Sequence, residues 1–202
     1  MLSLNDVNNY IQYCSSIEQN LKDTISYVEV CDSNDSTYSF EYAKIIMLAC
    51  SEIDVLCRLL CKEVDPLTDF DKSATHSGNI RCYANLILQR FPKLPSFELF
   101  NIKKRCTISP FNEWTLNPSY SSPSWWDDYQ KIKHYRHVEY SRATQVNAFS
   151  SVAGLITLNL YLHRLISNKP YSIPPYSSEL FHSNVFNLVV YADAAEDLPD
   201  FL

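Results

Sequence analysis

The chain has 202 residues, of which 46% are apolar, and its formal net charge is −6. This composition is sufficient for one sizeable hydrophobic core and argues against a disordered chain. The negative charge argues against a general nucleic-acid coat, because non-specific binding depends mainly on Lys and Arg side chains that neutralise phosphates. A local basic site remains compatible with this composition.

Apolar residues at spacings of three and four predict two long amphipathic helices, over about residues 5–28 and 39–64. The segment between them is rich in Ser, Asn and Asp, which compete with helical hydrogen bonds, and this is typical of a loop. Asp65-Pro66 ends the second helix, since the residue before a proline is pushed out of the α region. A third, shorter helix is predicted over about residues 77–91.

Residues 97–118 differ, because partial alternation and β-branched residues interrupted by Pro110 predict a short β-hairpin or an extended arm. Ser124, with Asp127 three residues later, is typical of the N-cap of a long helix that continues, with a bend, to about Ser167. The second part of this helix approaches the length of a membrane span. Because it contains polar residues such as His163 and Arg164, we expect a buried central helix and no membrane association.

These elements predict a mainly α fold, an antiparallel helical bundle with the short hairpin or arm near residues 97–118. We expect a single domain over residues 1–202, with a proline-rich and then acidic tail from about residue 168. The apolar run FNLVVY within this tail is compatible with a strand or a docking segment.

Seven cysteines, an odd number, follow a polar N-terminal segment that does not resemble a signal peptide, so we expect reduced thiols and a cytoplasmic location. Cys50, Cys57 and Cys61 lie on the apolar stripe of the second helix, which favours core packing over metal binding. We expect no metal and no cofactor. With Gly78 and Gly154 as the only glycines, a glycine-rich phosphate loop and a G-x-S-x-G nucleophile elbow are excluded.

The densest positive patch lies in the segment WWDDYQKIKHYRHVEYSRATQVN, over residues 125–147. On a continuous helix, one stripe of this segment would combine aromatic and cationic side chains: Trp126, Tyr129, Lys133, Arg136, His137, Tyr140, Thr144 and Asn147. Such a stripe suits RNA or a nucleotide, because bases stack on aromatic rings while Lys and Arg bind phosphate. In the alternative interpretation the aromatic residues anchor the core and the cations are solvated or paired with Glu52, Asp54 and Asp128.

The same segment resembles the HEPN superfamily, helical domains common in prokaryotic defence and toxin systems. The resemblance rests on Pro110-Phe111 and Trp114, on Trp125-Trp126 with the run KIKHYR, and on Arg142-Ala143-Thr144 with Asn147. The helix with SEIDVLCRLLC is similar to the first core helix of such proteins. The resemblance implies a helical bundle, often a homodimer, with a functional cleft between partner helices.

In the ribonuclease members of that superfamily, an Arg followed after four to six residues by a His acts on RNA without a metal. Here Lys131 and His137 have this spacing, with Lys in the place of Arg. Lys lacks the planar fork that binds a phosphate through two hydrogen bonds. This departure separates the chain from the ribonuclease pattern at one of its two defining positions.

The leading hypothesis is a HEPN-like domain that binds RNA or a nucleotide, with metal-independent RNA cleavage as its enzymatic form. His134 or His137 would move the 2′-hydroxyl proton, and Lys133 or Arg136 would stabilise the phosphorane. Three further residues, Lys131, Tyr129 and Tyr140, would contact the substrate. The competing hypothesis is a non-catalytic interaction or dimerisation module, in which these cations belong to a structural polar network with Glu52 and Asp54.

Overall fold

The computed structural model describes residues 2–68, 70, 79–167 and 177–183. Within these ranges the chain forms five α-helices: α1 (Leu4–Thr24), α2 (Phe40–Val64), α3 (Ile80–Arg90), α4 (Ser124–Glu139) and α5 (Gln145–Ser167). Three short strands accompany them: β1 (Leu99–Asn101), β2 (Cys106–Ile108) and β3 (Phe181–His182). The predicted mainly α fold with a short β element is confirmed.

The helix α5 is the centre of the hydrophobic core, and α1 and α2 pack against it most extensively. Its apolar side chains are buried on nearly all faces, which is typical of a core helix. The helix is long and apolar enough to cross a membrane, but 78% of its most apolar stretch is buried inside the fold. The prediction of a buried central helix is confirmed.

The helix α2 begins after Ser39, whose hydroxyl accepts a hydrogen bond from the backbone of Tyr42. Its apolar face carries three buried cysteines, Cys50, Cys57 and Cys61, so the prediction of core packing is confirmed. Burial raises the pKa of the Cys50 and Cys57 thiols well above the ordinary value. These thiols are therefore protonated at neutral pH and act as small apolar side chains.

The predicted hairpin is present as β1 and β2, which pair antiparallel with Leu99 opposite Ile108. The strand β3 adds to the other edge of β1, with Phe100 opposite His182, and gives the strand order β2-β1-β3. The third strand comes from the segment after the proline-rich stretch, which the sequence patterns did not assign to a sheet. The FNLVVY run lies outside the described residues.

The predicted long helix over residues 124–167 is wrong, because the chain forms two helices, α4 and α5, separated by a 3₁₀ turn at Tyr140–Arg142. The N-cap prediction is also wrong. Pro123 is the N-cap residue, and the Glu113 carboxylate accepts the hydrogen bond from the Ser124 backbone N–H at 2.6 Å. The side chain of Asp127 instead accepts a hydrogen bond from the Ser122 hydroxyl.

Glu18 joins α1 to the segment at residues 177–183. Its side chain is 5% exposed and accepts hydrogen bonds from the Ser178 hydroxyl and, at 2.9 Å, from the backbone N–H of Leu180. Burial raises the pKa of Glu18, although these hydrogen bonds act in the opposite direction. The carboxylate therefore holds β3 against the helices. Its charged form is, however, less stable in the folded chain than in the unfolded chain.

Glu18→Gln is expected to remove part of the pH dependence of stability. Between the ordinary pKa of 4.5 and the raised pKa, the folded chain binds more protons than the unfolded chain. The contribution of Glu18 is therefore fully present below pH 4.5 and is lost as the pH rises through the raised pKa. Urea midpoints of wild type and variant, measured from pH 4.5 to neutral pH, test this. The wild type should lose stability relative to the variant as the pH rises, and a difference that stays constant over this range would contradict the prediction.

Candidate functional site

The first half of α4 is an aromatic anchor in the core. Trp125, Trp126, Tyr129 and Ile132 are all buried, and the indole N–H of Trp125 donates a 2.7 Å hydrogen bond to the carbonyl of Pro110. The rings of Trp125 and Trp126 meet edge to face, with centroids 6.0 Å apart. These residues pack α4 against α2 and α5, so most of their ring surface belongs to the core.

The second half of α4 points into solvent, because every residue from Lys133 to Val138 is exposed. The helix is interrupted at Tyr135, whose φ of −133° and ψ of 34° are not helical. The predicted single stripe from Trp126 to Asn147 is therefore wrong: its aromatic half is buried and its cationic half projects outward past the interruption. We call residues 133–138 the cationic ridge.

Asp128 pairs with two cations of the segment 125–147, the predicted site residue Lys131 and its neighbour Arg142. Arg142 donates to its carboxylate at 2.8 Å and also pairs with Glu139, and Lys131 lies 3.7 Å from the same carboxylate. The interpretation that the cations are paired thus holds for Lys131 and Arg142. Arg142 thereby connects the 3₁₀ turn to α4, whereas the Lys131 contact lies within α4 itself.

The four residues proposed to act on RNA have a different environment. Within the part of the chain that the structure describes, none of them forms an ion pair with a carboxylate: Lys133, His134, Arg136 and His137. The ammonium of Lys133 lies 5.6 Å from the centroid of the Tyr129 ring, and the imidazole of His134 packs on Tyr135. These cations are accessible to an anionic partner in a chain whose overall charge is negative.

The ridge begins at the edge of a cleft of about 550 Å³ between α2, α3 and α4. Three cations line this cleft, Arg58, Arg81 and Lys133, against the two carboxylates of Asp54 and Asp127. The guanidinium of Arg81 lies over the Tyr120 ring, 5.3 Å from its centroid. The cleft and ridge together form a locally positive surface with aromatic walls, and we take them as the candidate site.

Asp54 belongs to this cleft but not to a network with the ridge. Its carboxylate accepts hydrogen bonds from Arg58 one turn along α2 and from the Tyr83 hydroxyl of α3, both at 3.0 Å. Burial is the main cause that raises the pKa of Tyr83, with the Asp54 carboxylate acting in the same direction. Asp54 therefore fixes α3 against α2, and through α3 it positions Arg81.

Glu52 lies elsewhere on α2, in a separate shallow cleft with residues of α1 such as Asp6, Tyr10 and Tyr13. Burial raises the pKa of its carboxyl group. The two acidic residues of the predicted polar network are thus on different surfaces. This agrees with their separation of two residues on a helix, which points side chains about 160° apart.

The two tyrosines predicted to contact the substrate, Tyr129 and Tyr140, are not exposed rings. Tyr129 is buried and its ring is covered by Lys133, while Tyr140 packs between Tyr38 and Phe40, with centroids 5.4 and 5.0 Å away. The exposed rings next to Tyr140 are Phe40, which is 79% exposed, and Tyr38, and Tyr135 is exposed on the ridge. Sequence patterns did not single out Tyr38 and Phe40.

Comparison of the chain with protein-family models, with curated proteins and with solved structures gave no match.

Proposed function

We propose that this protein binds single-stranded RNA at the cationic ridge and the adjoining cleft. The observation that carries the proposal is that four cationic or titratable side chains in one exposed segment have no carboxylate partner among the described residues, whereas Lys131 and Arg142 nearby are paired. Exposed cations bind phosphates, and exposed rings such as Phe40 and Tyr135 can stack on bases. The resemblance to HEPN domains supports the same ligand class and stays a prediction.

Lys133→Ala combined with Arg136→Ala is expected to weaken RNA binding roughly tenfold or more, which is about 1.4 kcal/mol. Fluorescence anisotropy with a labelled single-stranded RNA of mixed sequence measures the affinity at several salt concentrations. Each lost phosphate contact should also reduce the slope of log K against log salt by roughly 0.7. The salt dependence distinguishes a lost phosphate contact from a general loss of folded protein.

The matched control removes the same number of charges from other exposed positions, Lys62 in α2 and Lys103 after β1. Lys62→Ala with Lys103→Ala should bind RNA within about twofold of wild type, because neither lysine lies on the ridge. Equal binding by wild type and the ridge variant would contradict the proposal. If both double variants weakened RNA binding equally, the binding would be non-specific electrostatic attraction and not recognition at the ridge.

Cleavage is the enzymatic form of the same proposal, with His134 and His137 as the proton-transfer groups. One imidazole would accept the 2′-hydroxyl proton as the 2′-oxygen attacks phosphorus, and the other would protonate the departing 5′-oxygen. Lys133 or Arg136 would stabilise the charge on phosphorus. RNA incubated with a metal chelator and either wild type or His134→Ala/His137→Ala tests this, and general acid–base catalysis predicts a loss of roughly 100-fold or more. The same cleavage rate in the double variant would remove both histidines from the mechanism.

Self-association is the second candidate function, favoured by exposed apolar side chains at the end of the ridge and near the start of α2. Val138 is 67% exposed, and Phe40 and Tyr38 are exposed at the start of α2. Exposed apolar groups of this kind are frequent at protein interfaces. Sedimentation velocity over a range of concentrations tests it: a dimer that binds no RNA would favour a non-catalytic dimerisation module, and a monomer at all concentrations would exclude this candidate.

A further inference from the structure

A third cleft, of about 300 Å³, lies between the β1–β2 hairpin and the N-terminal end of α5. Its walls include the rings of Trp125 and Phe149 and the side chains of Asn101, Lys104 and Gln145. The volume is at the lower limit of small-molecule sites, which are typically apolar clefts with a few fixed polar groups. None of the ridge residues lines it, so it is separate from the proposed RNA surface.

Asn101 presents a hydrogen-bond donor that has no acceptor in the described part of the chain. The residue is 1% exposed, and its Oδ1 accepts hydrogen bonds from the backbone N–H groups of Lys103 and Lys104, both at 3.0 Å. These two bonds determine the orientation of the amide. The Nδ2 is left as a buried donor without a partner.

Gln145 presents the complementary group, an acceptor without a donor. It is also 1% exposed, and its Nε2 donates to the Glu29 carbonyl at 3.1 Å and to the Tyr42 hydroxyl at 2.9 Å. Its Oε1 has no partner among the described residues. Leaving a buried polar atom unpaired costs about 1–3 kcal/mol, and two residues with such atoms, one a donor and one an acceptor, line this one cleft.

The charged groups of this cleft are already engaged. Lys104 lies 2.6 Å from the Asp35 carboxylate and 2.9 Å from that of Asp32, and Glu113 accepts the hydrogen bond from the Ser124 backbone. An ionic ligand would have to displace one of these contacts. A neutral ligand would not, and aromatic walls favour a planar one.

We propose that this cleft binds a small neutral planar molecule with a cyclic amide edge. Its carbonyl oxygen accepts a hydrogen bond from Asn101 Nδ2, and its N–H donates to Gln145 Oε1. Trp125 and Phe149 contact the ring faces or edges. The site satisfies both unpaired amide groups without disturbing the Lys104 ion pairs.

Binding of uracil and of 2-pyridone tests this proposal, each compared with its N-methylated form, 1,3-dimethyluracil or 1-methyl-2-pyridone. Isothermal titration calorimetry on the whole chain measures the affinities. Methylation removes the donor and keeps the carbonyl, so the methylated compounds should bind about tenfold more weakly or worse. The absence of binding by both uracil and 2-pyridone, or equal binding of the methylated forms, would overturn the proposal.

Asn101→Asp is the informative variant, because it keeps the oxygen that accepts from Lys103 and Lys104 and replaces only the Nδ2 donor. It should weaken binding of the probes about tenfold. The matched control is Asn117→Asp, the same chemical change at an exposed residue outside the cleft lining, and it should bind as wild type does. If the control weakens binding as much as Asn101→Asp does, the loss is an effect of added negative charge and the assignment of Nδ2 is overturned.

A crystal structure of wild type with bound uracil gives a readout that does not depend on folding of a variant. The amide edge should lie within hydrogen-bond distance of Asn101 Nδ2 and Gln145 Oε1. Ordered water alone between these two atoms, at saturating uracil, would overturn the proposal. The RNA experiment is independent, since Asn101→Asp leaves Lys133 and Arg136 unchanged.

Discussion

Trp125→Ala is expected to lower the free energy of unfolding by about 3–5 kcal/mol, the range for large aromatic side chains removed from a core. Trp125 is 4% exposed, packs against Phe111, and its indole N–H donates to Pro110. The alanine variant loses the apolar contacts, leaves a cavity and leaves the Pro110 carbonyl unpaired. Denaturant unfolding followed by circular dichroism measures the change.

The backbone of α5 already lies against the Trp125 ring, so the cavity left by Trp125→Ala will not close easily. A Cβ atom at Gly154 would lie 3.1 Å from Cζ2 of Trp125 and 3.4 Å from Cζ of Phe111, so the helix already contacts the ring through its glycine. Trp125→Phe, which keeps a ring but loses the indole hydrogen bond, should cost less than alanine. Tyr135→Ala on the exposed ridge is the control and should remain within about 0.5 kcal/mol. A loss below about 1 kcal/mol for Trp125→Ala would contradict the assignment of Trp125 as a core anchor.

Asp128→Ala is expected to destabilise the fold by about 1–3 kcal/mol, because it removes the acceptor for two side chains that join α4 to α5. Arg142 donates to Asp128 at 2.8 Å and Asn147 at 3.0 Å. The side chain of Asp128 is 21% exposed and that of Arg142 is 37% exposed, so solvent screening keeps the effect toward the lower part of the range. The variant is expected to lose the side-chain hydrogen bonds that connect α4, which carries the ridge, to Arg142 and Asn147.

A double-mutant cycle with Asp128→Ala and Arg142→Ala separates the pair from its surroundings. We expect a measurable stabilising coupling between the two side chains, because the contact is direct. Glu41→Ala is the control, since Glu41 pairs with Lys44 on an exposed face, where such a pair contributes about 0–0.5 kcal/mol. A coupling energy of zero would show that Asp128 acts through its other partners, Asn147 and Lys131.

Apolar periodicity predicted α1, α2 and the burial of α5 because these helices bury continuous faces that are visible in the sequence itself. The same periodicity failed between Glu139 and Gln145, where neither proline nor glycine marks a break. The interruption depends on contacts with a distant segment. Ser39 donates to the Ala143 carbonyl, and Gln145 and Val146 donate to the carbonyls of Thr37 and Asp35.

The candidate site was predicted only in part. The run from Lys133 to His137 is visible as a dense group of cations, and its aromatic neighbours are visible as well. A helical projection could not show that Trp126 and Tyr129 face the core while the cations lie beyond an interruption at Tyr135. Nor could it bring Arg81 of α3 into the same cleft as Lys133.

Composition and periodicity by themselves determined that this is a mainly helical fold with one apolar central helix and buried cysteines, because burial of apolar faces depends on residue type and local spacing. Only the tertiary structure decided which cations are paired with Asp128 and which are exposed on the ridge. It also decided that Asn101 and Gln145 line one cleft with unpaired amide atoms. The physical reason is that ion pairs and hydrogen bonds depend on distances between residues far apart in the chain, and these distances follow from packing of the whole fold.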